Sequence, residues 1–317
     1  MGASEKVYDV VIIGAGPAGL TASIYASRAL LDYVTIEQAS IGGQTVLTSD
    51  IDNYPGLPKT TGFDLADAMK GHAESLGATI VLDNVSSITR NEEDSLFEVT
   101  TSSERYVAKA VIAATGATPR HAGFEGEEEF YGRGVSYCGT CDGMFYRGKL
   151  VYVIGGGNTA LEEAIFLTRF ADKVIICVRK DHVRAQASLL QEAEANEKIE
   201  FRYLTSITKV EGEQLLTSVT LRNNETGEET IEEHDAGSFG VFVFTGHVPM
   251  TELLGDMVEL SPTGAVITDE RMATKTPGLY CAGDLREKPL RQIVTATADG
   301  AIAATAVSAY LGHPVEG

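Results

Sequence analysis

The chain has 317 residues, 44% of them apolar, which is enough for about two globular domains with cores of their own. Its formal charge of −20 repels polyanions, so neither nucleic acid nor an anionic membrane surface is an expected partner. Glycine is in excess, 33 residues against about 22 for an average usage of ~7%, which points to backbone lying close to ligands.

Met1-Gly2-Ala3-Ser4-Glu5-Lys6 carries no secretory signal, and Lys6 breaks the N-myristoylation pattern. No apolar run approaches the ~20 residues of a membrane span, so a cytoplasmic location is expected. Val7 to Ile13 reads as a strand, followed by the turn Gly14-Ala15-Gly16-Pro17-Ala18-Gly19, a helical pattern from Leu20 to Arg28, and a strand from Tyr33 to Ile36 that ends at Glu37. This is the βαβ dinucleotide fingerprint in its required context. The first two glycines allow a tight turn and close approach of a pyrophosphate, the third lets helix and strand pack, and the helix start offers amides to phosphate. Glu37 lies 18 residues past Gly19, where a carboxylate for the adenosine ribose belongs.

Val107 to Ala114 reads as the next strand, ending in Thr115-Gly116-Ala117-Thr118-Pro119. Cys138 and Cys141 then form a C-x-x-C. Two close cysteines without an adjacent His lack the ligand set of structural zinc, so no metal is expected. A permanent bridge does not suit a reducing compartment, which leaves a redox-active pair as the expectation. Cys177 and Cys281 stand alone in apolar segments and read as core.

The fingerprint then repeats: strand Leu150 to Ile154, turn Gly155-Gly156-Gly157-Asn158-Thr159-Ala160, a helix to about Phe170, and strand Lys173 to Cys177. Glu37 is 23 residues past Gly14, but 23 past Gly155 is Val178. Arg179, Lys180 and Arg184 follow at once, and cations there accommodate a 2′-phosphate, so NADPH is expected over NADH; a solvated basic turn is the alternative. Asn223 to Asp235 reads as a polar hairpin turn, Gly278 to Ala282 as a strand ending in Gly283-Asp284, and Gln292 to Tyr310 as a long helix whose start suits an anionic group. The return to a nucleotide-fold pattern implies a discontinuous first domain, residues 1–117 and 250–317, with a second, 118–249, inserted in it.

Tyr137-Cys138-Gly139-Thr140-Cys141-Asp142-Gly143 resembles the redox motif of the low-molecular-weight bacterial thioredoxin reductases, which usually has Ala where Gly139 stands. Ile41-Gly42-Gly43-Gln44 and Asp52-Asn53-Tyr54-Pro55-Gly56 resemble their flavin-domain segments. Gly283-Asp284 and Arg291-Gln292, with Ile293 following, resemble the stretch that contacts the flavin and its ribityl chain. The resemblance covers essentially the whole chain. It implies an α/β fold of two Rossmann-like FAD/NAD(P)-binding domains, the second inserted in the first and carrying the C-x-x-C, in a homodimer that reduces a thioredoxin. FAD would be held by Gly14, Gly16, Pro17, Ala18, Gly19, Glu37, Gly43, Gln44, Asn53, Thr115, Gly116, Gly283, Asp284, Arg291, Gln292 and Ile293. NADPH would be held by Gly155, Gly157, Asn158, Thr159, Arg179, Lys180 and Arg184. Asp284 would bond the ribityl chain, a strand-end cap being the plainer role, and Gln292 would lie near the flavin ring.

By the same resemblance, Cys141 lies nearer the flavin and Cys138 attacks the partner disulfide. Asp142 is the acid–base group for the thiols, with a helix-capping role as its alternative. The disulfide and the nicotinamide compete for one flavin from one inserted domain, so turnover is expected to need a rotation of that domain, with hinges near Ala117–Pro119 and Gly246–Pro249. The second fingerprint departs from the family's pattern: the usual Gly-Gly-Gly-Asp-Ser-Ala is Gly155-Gly156-Gly157-Asn158-Thr159-Ala160, and the usual His-Arg-Arg is Val178-Arg179-Lys180. That leaves a ferredoxin-dependent flavin thioredoxin reductase as an alternative on the donor side. A dithiol oxidase and a non-enzymatic redox sensor are the alternatives on the same scaffold.

Overall fold

Val10 to Ile13 are fully sequestered, so the strand they end, β1 (Val7–Ile13), is a central one. The computed structural model describes residues 6–48 and 51–313; the leader and acylation readings on residues 1–5, and the last four residues of the C-terminal segment, lie outside the described residues. Helix α1 (Pro17–Arg28) begins three residues before the pattern at Leu20, because Pro17 occupies a first-turn position where its missing N–H costs no bond. β2 (Tyr33–Glu37) pairs parallel with β1. Thr61 caps α2 (Gly62–Ser75), its Oγ1 accepting the Asp64 N–H at 3.0 Å. Then come β3 (Ile80–Leu82), β4 (Val85–Arg90), β5 (Phe97–Thr101) and β6 (Arg105–Ala113). They complete a sheet of order β3-β2-β1-β6-β5-β4, parallel from β3 to β6 and antiparallel beyond.

The chain leaves through β7 (Ala117–Pro119) and β8 (Val135–Ser136) and enters a second set: α3 (Gly139–Asp142), β9 (Leu150–Ile154), α4 (Asn158–Leu167), β10 (Lys173–Cys177), α5 (Ala187–Glu194) and β11 (Ile199–Arg202). α4 stops at Leu167, short of Phe170. Thr168 Oγ1 turns back to the Ile165 carbonyl, the N–H groups of residues 168–171 take the last helical carbonyls, and Lys198 Nζ donates at 2.8 Å to the carbonyls of Thr168, which caps the helix, and of Ala171 beyond it. An antiparallel meander follows, β12 (Thr205–Gly212), β13 (Leu216–Asn223) and β14 (Glu229–Glu233), with the polar turn between the last two. β15 (Phe239–Val243) closes a parallel sheet of order β11-β10-β9-β15-β8. β16 (His247–Pro249) pairs with β7, so the two crossovers run side by side.

β17 (Leu279–Cys281) then adds to β6 in parallel, and α6 (Ile293–Tyr310) ends the described chain. Two compact units result, residues 1–118 with 248–317, and residues 119–247. In the first, β1, β6 and β17 bury one face under α1 and α6 through Ala18, Ala22, Ala303 and Val307. In the second, α4 and α5 cover one face of the sheet and the meander covers the other. α6 is the one described helix whose length and composition would suit a membrane crossing. Its hydropathy comes from Ala and Val packed on α1: a Cβ on Gly300 would meet the Ala18 carbonyl oxygen at 2.0 Å.

Candidate active site

Cys138 and Cys141 are disulfide-bonded with Cα atoms 5.3 Å apart, at the mouth of α3. Cys138 is the cap of that turn: its Sγ accepts the Cys141 N–H at 3.2 Å and lies 3.5 Å from Thr140 Oγ1. Both sulfurs are part-buried. The buried Ser136 links the neighbourhood, its Oγ accepting the Cys138 N–H at 3.1 Å and donating to Asp142 Oδ2 at 2.6 Å. Asp142 is the last residue of α3 and stands at the start of the 3-10 turn Gly143–Tyr146, its carboxylate bonded to Ser136. Cys177 and Cys281 are buried free thiols; burial pushes Cys177 up to about 12 and Cys281 higher, which keeps both as inert thiols. Among the described residues no cluster of His, Cys, Asp and Glu could hold a metal.

The second glycine turn joins β9 to α4. A Cβ on Gly155 would lie 2.5 Å from Ala160 Cβ and 2.7 Å from the Phe244 carbonyl oxygen, whereas Gly157 has open space beside it, which leaves its backbone free to face a pyrophosphate. The basic loop after β10 folds onto this turn. The Arg184 N–H donates to the Gly156 carbonyl at 2.6 Å, and the Gln186 N–H donates to Asn158 Oδ1 at 2.8 Å. Arg179, Lys180 and Arg184 are exposed, Asn224 Nδ2 holding the Arg179 carbonyl at 3.0 Å. Thr159 follows Asn158 in the first turn of α4. Val178, at the place of the missing acid, is buried in the core.

In the first unit, Gly14 has φ +99°, and a Cβ there would meet the Ala114 carbonyl oxygen at 2.4 Å; one on Gly19 would meet the Gly14 oxygen at 1.8 Å. These two positions admit only glycine, and the turn they form leaves Gly16 open on its outer side, with Pro17 and Ala18 opening α1. Glu37 is 8% exposed, and its two oxygens accept the Ala15 N–H at 2.7 Å and the Ala39 N–H at 2.9 Å. Gly43 approaches Gly16 backbone to backbone, with Gln44 exposed beside it. Asn53 Nδ2 donates to Gln292 Oε1 at 3.1 Å, joining the loop before α2 to the cap of α6, where Ile293 is the first helical residue. Thr115 Oγ1 donates to the Met250 carbonyl, whose own N–H returns to the Gly116 carbonyl.

Asp284 Oδ1 and Arg291 Nε are buried without a hydrogen-bond partner, which is the condition of groups built to meet a polar ligand; the residues present fit an FAD. Burial pushes the Asp284 carboxyl upward, Lys288 and Arg291 pull it back, and Asp299 adds to the rise. Behind it stands a network the sequence did not disclose. Asp299, buried on α6, accepts the Gly283 N–H at 3.1 Å, Lys288 Nζ at 2.8 Å and Arg286 Nη1 at 3.3 Å. Lys288 is itself buried, 3.9 Å from Asp284 Oδ1. The acid sits 15 residues past Asp284, within the following helix, and no motif spacing joins the two.

Residues 8–300 match the family of pyridine nucleotide-disulphide oxidoreductases. The chain is 45% identical over 310 residues to a thioredoxin reductase of Peptoclostridium litorale, covering 97% of this chain and 98% of that one. It is 44% identical over 308 residues to the thioredoxin reductase of Bacillus subtilis strain 168, covering 97% and 96%. The crystal structure of thioredoxin reductase from Streptococcus pyogenes MGAS5005 superposes with a TM-score of 0.90 at 42% identity, covering 98% of this chain and 99% of that one.

Proposed function

The chain belongs to the pyridine nucleotide-disulphide oxidoreductases, and from that premise we propose how its residues perform thioredoxin reduction. It is a thioredoxin-disulfide reductase that uses FAD and NADPH. The observation that carries the reading is the Cys138–Cys141 disulfide at the mouth of α3, tied through Ser136 to Asp142. When bound, FAD supplies the two-electron relay between the nicotinamide and this disulfide.

The first unit holds FAD along Gly14 to Gly19, with Glu37 on the ribose, Gly43, Gln44 and Asn53 on one side, Thr115 and Gly116 at the end of β6, and Asp284 with Arg291, Gln292 and Ile293 on the other. The second holds NADPH on Gly155, Gly157, Asn158 and Thr159, with Arg179, Lys180 and Arg184 toward the 2′-phosphate. Once the disulfide is open, Cys138 as thiolate attacks the disulfide of thioredoxin, forming a mixed disulfide and releasing one partner thiolate, which takes up a proton. Cys141 then attacks Cys138 Sγ, expels the second partner sulfur and restores the pair. The Cys141 N–H aimed at Cys138 Sγ favours the attacking thiolate, and Asp142 holds the proton that the exchange moves. The inserted unit turns between presenting the disulfide and presenting the nicotinamide, about the crossovers at Ala117–Pro119 and Gly246–Pro249. The working setting is a cytoplasmic homodimer with thioredoxin as its protein partner and neither nucleic acid nor membrane; the −20 charge supports the last point.

The test mixes oxidised, anaerobic enzyme with NADPH, NADH or reduced ferredoxin in turn, follows the flavin absorbance, and then adds oxidised thioredoxin. Bleaching by NADPH, followed by recovery on adding thioredoxin, is the expected result. Bleaching by ferredoxin alone overturns the donor assignment.

A further inference from the structure

Gly139 stands where the redox motif this chain resembles usually has Ala, and a carboxyl group occupies the space of the missing methyl. A Cβ built on Gly139 would lie 2.1 Å from Glu163 Oε2. Glu163 belongs to α4, and that oxygen is shut off from solvent and accepts no hydrogen bond. Negative charge on that oxygen forgoes both water and donors there, which favours the protonated form. We propose that Glu163 is a positioning residue of the redox pair, holding a proton against the α3 backbone while Cys138 is a thiolate, so that opening the disulfide places one negative charge there instead of two. This rests on the reading of Cys138 and Cys141 as the redox couple.

The balance is simple. The two electrons of the established reaction break the S–S bond and leave two sulfur anions. One takes a proton from solvent, and the other stays a thiolate. An ionised Glu163 would oppose that thiolate, and the thiolate opposes ionisation of Glu163, so the two groups titrate as a coupled pair. Burial, with the neighbouring Glu162 adding to it, already lifts Glu163 to about 7, which puts the exchange in the working range. The other titratable groups on elements packed against α4 are Asp142 on α3, Tyr152 on β9, Lys173 and Cys177 on β10, and Glu192 and Glu194 on α5. Asp142 differs from Glu163 in that its carboxylate already accepts the Ser136 hydroxyl.

The experiment uses the full-length flavoprotein, reduced anaerobically with excess dithiothreitol that is then removed. The rate of iodoacetamide alkylation at Cys138 is followed against pH by mass spectrometry. For Glu163→Gln, the rise in reactivity should move to lower pH by about half a unit or more, roughly a threefold gain in thiolate below its midpoint. Gly139→Ala should move it the same way, because the displaced atom is the free end of a flexible side chain and the fold can absorb the change. If Glu163→Gln does not fold, Gly139→Ala carries the test. Superimposable profiles for wild type and the folded variant overturn the proposal. Failure of dithiothreitol to expose two alkylatable sulfurs at Cys138 and Cys141 would instead overturn the redox-pair reading.

Discussion

The two glycine turns of this chain are built alike and finished differently. Twenty-three residues past the first glycine, one has Glu37 and the other Val178. Glu37 is buried and grips its own turn, taking the Ala15 and Ala39 amides on its two oxygens. Val178 is packed into the core, and the polar work passes to a loop that bends back so that Arg184 bonds Gly156 and Gln186 bonds Asn158. A turn closed by a buried acid suits a resident ligand that leaves rarely. A turn edged by exposed cations suits one that arrives and departs, since exposed charge attracts without the desolvation cost of a buried one.

The most severe break in that comparison is chemical. The second unit alone carries the redox pair, so Cys138→Ser and Cys141→Ser should each drop thioredoxin turnover to background while the visible flavin spectrum persists. Retention of turnover in either variant would move the chemistry elsewhere. Next in size, Glu37→Ala removes the acceptor of two backbone amides, each charge-assisted bond being worth about 1.5–3 kcal/mol. This variant should purify with little or no flavin and a lowered melting temperature, whereas the equivalent change at Val178 should leave flavin content untouched; absorbance per protein decides. Smaller again, Arg179→Ala should raise the KM for NADPH about tenfold or more and leave NADH unchanged, since one charge-assisted bond converts to roughly 10- to 150-fold in affinity. Equal losses for the two nucleotides would remove the 2′-phosphate role.

The smallest effect is a pH dependence. The native Glu163 carboxyl titrates at about 7, against an ordinary value of 4.5. The folded chain therefore keeps a proton there that the unfolded chain releases. The associated stability is fully present below about 4.5 and is lost as the pH rises through about 7. Glu163→Gln should then gain on wild type between pH 5 and pH 8, by on the order of 2–4 °C in melting temperature. No difference between the two pH values would mean that Glu163 is solvated in the folded protein.

The legible parts of the fold were those with a local signal. β1, β2, β9 and β10 stand out because buried parallel strands read as apolar runs, and the two turns because a Cβ has no room at Gly14 and Gly19 in the first or at Gly155 in the second. Helix ends were less legible. α4 stops at Leu167, where Lys198, thirty residues on, holds the carbonyl of the capping Thr168, and α1 starts early because of Pro17. The Asp299, Lys288 and Arg286 network was illegible, because its partners meet only when α6 folds back onto the Gly283 turn. Glu163 was illegible for a related reason: beside Glu162 it reads as part of a solvated helix face, and only the packing of α3 on α4 turns it inward.

The close fit of α6 on α1, Gly300 against Ala18, also dictates an order of assembly during synthesis. The strands and helices of residues 7–113 leave the ribosome first, yet β17 and α6, which complete their packing, are translated only after all of residues 119–247. The inserted unit is continuous and can close its core as it emerges, while the earlier segment waits with the apolar flank of α1 uncovered. A nascent chain arrested before Ile293 should therefore present a protease-resistant fragment spanning the C-x-x-C and a protease-sensitive N-terminal third. Chaperone demand should peak late in translation, when most of the molecule already exists.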